Sequence, residues 1–129
     1  MSQVALTLAV LPGTYAVCRL DGGVAVPEWA TSGSFCSVTR TADELSVVCE
    51  QGAAPEGVLC EGGWRCLRVQ GPLDFGLTGI LASLAVPLAE AGISIFSLST
   101  YDTDYIMVKA ADLEGAVAVL SGSGHIITL

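Results

Sequence analysis

Leu77, Leu81, Leu84, Leu88 and Ala91 are spaced by four, three, four and three residues, one apolar stripe along an α-helix. The spacing predicts a helix over Thr78–Ala91, ended by Gly92 and bent at Pro87, which has no amide hydrogen to give the preceding turn. A helix with one apolar stripe must lay it on something. Nearly everything around it reads as strand, so the partner is a sheet.

The flanking segments say which kind of sheet. Trp64–Gly71 alternates as a strand before the helix, and "ISIFSLS" and "YIMVK" follow it as two strands around a turn at Asp102–Asp104. Leu113, Ala116, Val117 and Leu120 mark a second helix with Asp112 as its N-cap, "GSG" ends it, and "HIITL" is a last strand. Strand, helix, strand, strand, helix, strand places two helices on one face of a four-stranded antiparallel sheet, an α+β arrangement. A unit of this size, residues 64–129, has a small core and an uncovered sheet face, so it needs a neighbour.

Residues 1–63 supply one. "VALTLAVLP" and "TYAVCRL" are strands separated by the turn pair Pro12-Gly13, and Phe35–Arg40 and Leu45–Glu50 are strands around a polar turn. One short helical turn is expected around Glu28–Ala30, and no long helix anywhere in this half. Hydrophobic residues make up 52% of the chain and charged ones 14%, more apolar surface than two small solvated sheets can hide. With the short connection "EGGWRC", this predicts that the halves pack as one unit, with Trp29 and Trp64 in the core between them. It also predicts association of copies, as a homodimer.

Several function classes fall away. A formal charge of −8, from 13 acidic and 5 basic residues, argues against a surface that tracks nucleic-acid phosphates. The opening run "MSQVALTLAVLPG" has no basic start and alternates like a strand, and Leu77–Ala89 is too short to span a membrane, so a soluble cytoplasmic protein is expected. The five cysteines include no C-x-x-C pair or Cys/His cluster, and Cys18, Cys36 and Cys49 read as small buried apolar groups. His125 is the single histidine, better suited to a surface or capping role than to a metal site. No nucleophile with acid and base partners, no phosphate-binding glycine loop and no metal cluster stands out, so neither catalysis nor a cofactor is expected.

One stretch is more polar than its surroundings require. "STYDTDYIMV", Ser99–Val108, sets two aspartates, two threonines and two tyrosines between apolar runs. A hairpin turn whose aspartates bond local amides explains the aspartates but leaves Tyr101 unexplained.

The order "GILASLAVPLAEAGISIFSLST" resembles the ACT domain, a βαββαβ regulatory module that binds amino acids. With "STYDTDYIMV" and "GHII" the chain is similar to a narrower branch: small bacterial tandem-ACT proteins and Castor-type cytosolic arginine sensors, akin to aspartate kinase regulatory regions. The resemblance covers residues 64–129 and implies two ferredoxin-like units. Residues 1–63 look like the degenerate, β-rich ACT-like unit that precedes it, and 64–129 like the C-terminal ACT domain. Many ACT domains carry an aspartate three residues before the helix-opening glycine; here that position is Gly76, with Asp74 two residues earlier.

The resemblance gives the polar residues a role. Exposed N–H groups at a helix start attract a carboxylate, and the family holds the amino acid's carboxylate at the loop matched here by Phe75, Gly76, Leu77, Thr78, Gly79 and Ile80. It implies that the backbone of Ile93, Ser94 and Ile95 meets the ligand's amino group or the partner domain. Thr100, Tyr101 and Asp104 match the stretch that sets an aspartate near the ligand's side chain, where it makes a charge-assisted hydrogen bond to a guanidinium or ammonium. The expected function is a non-catalytic, amino-acid-binding regulatory protein that senses a small amino acid at a domain or subunit interface, dimeric and able to act on a regulated protein partner. The alternative is a structural interaction module without a ligand.

Overall fold

The computed structural model describes residues 5–73 and 78–129, in two compact units: residues 5–12 with Arg65–Leu129, and Gly13–Trp64. The strands are β1 (Thr7–Val10), β2 (Tyr15–Asp21), β3 (Ser37–Arg40), β4 (Glu44–Glu50), β5 (Leu59–Val69), β6 (Ile95–Ser99), β7 (Asp104–Lys109) and β8 (Ile126–Thr128). The helices are α1 (Ile80–Glu90) and α2 (Leu113–Gly122), with single 3-10 turns at Glu28–Thr31 and Ala110–Asp112. The fold is α+β with a mainly antiparallel sheet, and β5, α1, β6, β7, α2, β8 follow in the order the spacing predicts.

The unit containing Arg65–Leu129 differs from that prediction in one respect. Its strands lie in the order β6–β7–β5–β1–β8, so β1 occupies the place between β5 and β8. It runs antiparallel to β5, with Leu8 opposite Val69, and parallel to β8, with Leu8 opposite Ile127. The sheet therefore has five strands rather than four, and residues 5–12, expected with the first half, belong to this unit. Alternation explains the choice: Leu6, just ahead of β1, and Leu8 within it point the same way and are both buried.

Both helices lie on one face of this sheet. Leu84 and Leu88 of α1 and Ala116 and Leu120 of α2 pack with Leu8, Leu67, Val69, Ile106 and Val108. Each fully buried leucine side chain contributes about 2 kcal/mol of hydrophobic free energy. The buried stripe is Ile80, Leu84 and Leu88, whereas Leu81 is 42% exposed and Ala91 lies exposed beyond the helix end. At about 100° per residue Ile80 lies about 40° around the helix from Leu84 and Leu81 about 60°, so Ile80 takes the inward place predicted for Leu81. Leu77 lies outside the described residues. Asp112 precedes α2 as predicted, yet its side chain makes no capping bond.

The unit Gly13–Trp64 has no α-helix, in line with the sequence reading. Its ladder runs β3–β4–β2–β5, all antiparallel, over a core of Ala16, Cys18, Ala30, Leu45, Val47 and Cys49. Trp29, expected between the halves, packs on this core instead. β5 starts at Leu59 rather than Trp64, because Gly62-Gly63, read as a connection, form a bulge where the pairing passes from Val17–Glu61 to Tyr15–Trp64.

Cys18 is not the isolated apolar group predicted. It stands directly opposite Cys60 in the β2–β5 ladder with a Cα–Cα distance of 4.1 Å, and the two form a disulfide. Cys36, Cys49 and Cys66 are free thiols. Burial pushes the Cys66 thiol up to about 12, and it raises Cys49 as well, with Cys36 and Glu50 adding to the effect. Both thiols stay protonated at neutral pH and are unsuited to nucleophilic attack.

Candidate ligand site

The polar stretch folds into a hairpin turn between β6 and β7, and its threonines build the turn. The Thr100 amide donates to the Thr103 carbonyl at 2.8 Å, and the Thr103 amide donates to Oγ1 of Thr100 at 3.3 Å. The local bonding predicted for the aspartates is thus done by threonine hydroxyls. Thr103, almost buried, also donates from Oγ1 to the Val69 carbonyl at 2.6 Å.

A second strap holds the turn against the end of β5. The Leu73 amide donates to the Asp102 carbonyl at 2.7 Å, and Gly71, which precedes a cis proline, lies under the same turn. A Cβ on Gly71 would stand 3.0 Å from the Asp102 carbonyl oxygen, so only glycine fits without displacing the turn.

These straps leave two carboxylates unused. Among the described residues, the side chains of Asp102 and Asp104 have no hydrogen-bond or ion-pair partner. Asp104 is half-buried opposite Ser99, Asp102 is exposed, and the Tyr101 ring is 81% exposed at the rim.

The turn faces the start of α1 across a cleft of about 340 Å³, lined by Leu73, Gly79, Ile80, Leu81 and Ser99–Asp104. That volume is at the lower end for small-molecule sites and suits a ligand of amino-acid size. Gly79 precedes the helix in the left-handed region, φ +77°, a conformation glycine adopts without steric cost. Among the described residues no side chain caps α1, and a Cβ on Gly79 would meet nothing within 4 Å. One end of the cleft therefore presents open helix-start amides with their partial positive charge, and the other presents carboxylates. No described lining residue is basic.

The cleft brings together Gly79, Ile80, Thr100, Tyr101 and Asp104 of the residues singled out in the sequence. Thr78 is described and exposed but not on its wall, and Phe75, Gly76 and Leu77 lie outside the described residues. Ile93, Ser94 and Ile95 stand at the start of β6, away from the cleft; both isoleucines pack against the core and Ser94 is exposed. Leu73, Leu81, Ser99, Asp102 and Thr103 also line it without having been singled out. Asp102 had a signal, since it sits in the same polar run. Leu81 had a misleading one, because its place in the stripe assigned it to the core.

Among the described residues no cluster of three or more His, Cys, Asp or Glu is placed to hold a metal, and no helix is long and apolar enough to cross a membrane.

A family model described as the ACT domain matches residues 59–122, from the first residue of β5 to the last of α2, and an N-terminal-domain family model matches residues 13–57. The human protein named putative protein CASTOR3P is 30% identical over 114 residues, covering 75% of this chain and 68% of that one. The cytosolic arginine sensor for mTORC1 subunit 1 of Bos taurus is 31% identical over 98 residues, 67% of this chain; the match spans 30% of the sensor's length. An Agobacterium tumefaciens protein of known crystal structure superposes with a TM-score of 0.93 at 42% identity, covering 98% of this chain and 94% of that one. The regulatory subunit of aspartate kinase from Thermus thermophilus superposes with a TM-score of 0.62 at 10% identity, covering 95% and 99%, a likeness of fold.

Proposed function

The chain belongs to the ACT domain family, and from that membership we propose that it is a non-catalytic regulatory protein that binds an α-amino acid with a cationic side chain in the cleft between α1 and the β6–β7 turn. The observation that carries this reading is the pair of carboxylates, Asp102 and Asp104, left without partners among the described residues by a turn that its threonines already satisfy. The ligand's carboxylate lies at the uncapped start of α1, close to Gly79, and its cationic end lies at Asp104 with Asp102 nearby. Each end meets the opposite charge. The relation to proteins named cytosolic arginine sensors supports arginine as the first ligand to try.

A thermal-shift panel of the amino acids tests this reading. A ligand that binds only the folded protein raises its melting temperature, by about 2.7 kcal/mol of stabilisation at a hundredfold excess over Kd. Arginine and lysine are expected to shift the melt most. A panel with no shift for any amino acid favours the interaction module without a ligand.

We place the protein in the cytoplasm, as the named sensors are. There the exposed Cys60 gives thiol reductants access to the Cys18–Cys60 pair. We also propose a homodimer, because Leu81, Val86 and Ile126 are exposed apolar side chains and, among the described residues, β8 is paired on one side only. Light scattering is expected to give twice the chain mass; a monomer at high micromolar concentration, with or without arginine, contradicts it.

A further inference from the structure

Pro87 lies inside α1 and has no amide hydrogen, so the carbonyl of Ser83, four residues before it, lacks its helical donor. His125 takes that place. Its Nε2 lies 3.0 Å from the Ser83 carbonyl oxygen, and the Leu6 amide donates to its Nδ1 at 3.1 Å. Since Nδ1 accepts, the ring is neutral with its proton on Nε2, and Nε2–H donates to Ser83. The side chain is buried, with 5% of the residue exposed.

The backbone fixes the ring from both sides. The His125 amide donates to the Leu120 carbonyl at the end of α2, and the Ile126 amide donates to the Leu6 carbonyl ahead of β1. Ser83 passes the constraint on: its amide donates to the Gly79 carbonyl at 2.9 Å and its Oγ to the Ile80 carbonyl at 2.7 Å. Gly79 and Ile80 are cleft wall.

We propose that His125 is a positioning residue for the cleft: its neutral ring ties the first turn of α1 to the β1–β8 end of the sheet, and a proton on Nδ1 releases that tie. A protonated ring has no acceptor for the Leu6 amide, and two donors then face each other in a buried site. The titratable side chains on the elements packed around the ring are Glu90 of α1 and Glu114 of α2, with Asp112 just before α2; β1 and β8 carry none. Glu90 is at the far end of α1 from Ser83, and Glu114 at the far end of α2 from His125. This inference rests on reading the cleft as the ligand site, and it adds a proton-sensitive wall.

The chain's single histidine gives one ring signal to follow by nuclear magnetic resonance. Wild type and His125→Gln are titrated from about pH 8 to about pH 5. Glutamine can accept from Leu6 and donate to Ser83 without titrating. In wild type the amide signals of Gly79, Ile80 and Leu81 are expected to move along the ring's own titration curve, and in His125→Gln to stay flat across it. Amides that ignore the ring, or that move equally in both proteins, overturn the proposal.

Pro87→Ala carries the same test should His125→Gln fail to fold. It returns an amide hydrogen to Ser83, so the amide response is expected to shrink by at least half; an unchanged response overturns the proposal. In a parallel titration, wild type is expected to lose L-arginine affinity towards acid more steeply than His125→Gln. If L-arginine binds neither protein, the ligand reading fails while the amide comparison still decides the role of His125.

Discussion

Deletion of residues 1–12 is expected to leave the remaining chain without a cooperative fold over residues 65–129. β1 is an interior strand of that unit, bonded to β5 on one side and β8 on the other. Without it, Leu6 and Leu8, 8% and 0% exposed, leave the core, and β8 has no partner. Losing two buried leucines costs roughly 4–10 kcal/mol, comparable with the whole stability of a small domain. The Leu6 amide bond to His125 is lost as well, which loosens α1. Circular dichroism during heating checks this. A sharp melt near the wild-type temperature would show that β1 is dispensable.

Asp104→Asn is expected to weaken arginine binding by about ten- to a hundredfold, the loss of a charge-assisted contact worth roughly 1.5–3 kcal/mol. The substitution keeps the shape and removes the charge. Asp104 makes no hydrogen bond or ion pair among the described residues, so stability should change little. Citrulline has arginine's length without its charge, and its affinity should be nearly unchanged. Calorimetric titration of both ligands separates the two roles: equal arginine affinity in wild type and variant returns Asp104 to a turn residue. Gly79→Val provides the contrast. It strains a position at φ +77° and places methyl groups over the open helix start, so every amino acid should bind more weakly, charged or not.

The run β5 to β8 was legible because each element carries its own local period: the leucines of α1, the alternation of β5, the apolar positions of α2. What local period does not carry is who pairs with whom. β1 reads as a strand, but its place between β5 and β8 depends on ladders to residues near 68 and 127. The same blindness hid the Cys18–Cys60 bond, which spans 42 residues. It hid His125 too, whose partners Leu6 and Ser83 lie 119 and 42 residues away. Pro87 announced an unpaired carbonyl but not its donor.

At the cleft, the excess polarity of Ser99–Asp104 was the useful signal, because a tight turn needs fewer polar groups than that stretch contains. The division of labour within it was not readable. Threonine and aspartate both make such turns, and only the folded turn shows that the bonds fall to Thr100 and Thr103. Leu81 shows the limit of a stripe: a residue at its border is core or cleft according to the packing of its neighbours.

Calorimetric titration of the wild-type protein with L-arginine, L-citrulline and agmatine tests the central claim most directly. Citrulline lacks the charge that Asp104 and Asp102 would meet, and agmatine lacks the carboxylate that the start of α1 would hold. L-arginine is expected to bind at least tenfold more tightly than either, since each loss removes about 1.4 kcal/mol or more. Equal affinity for all three, or no heat from any of them, would contradict the assignment of the cleft as a cationic amino-acid site.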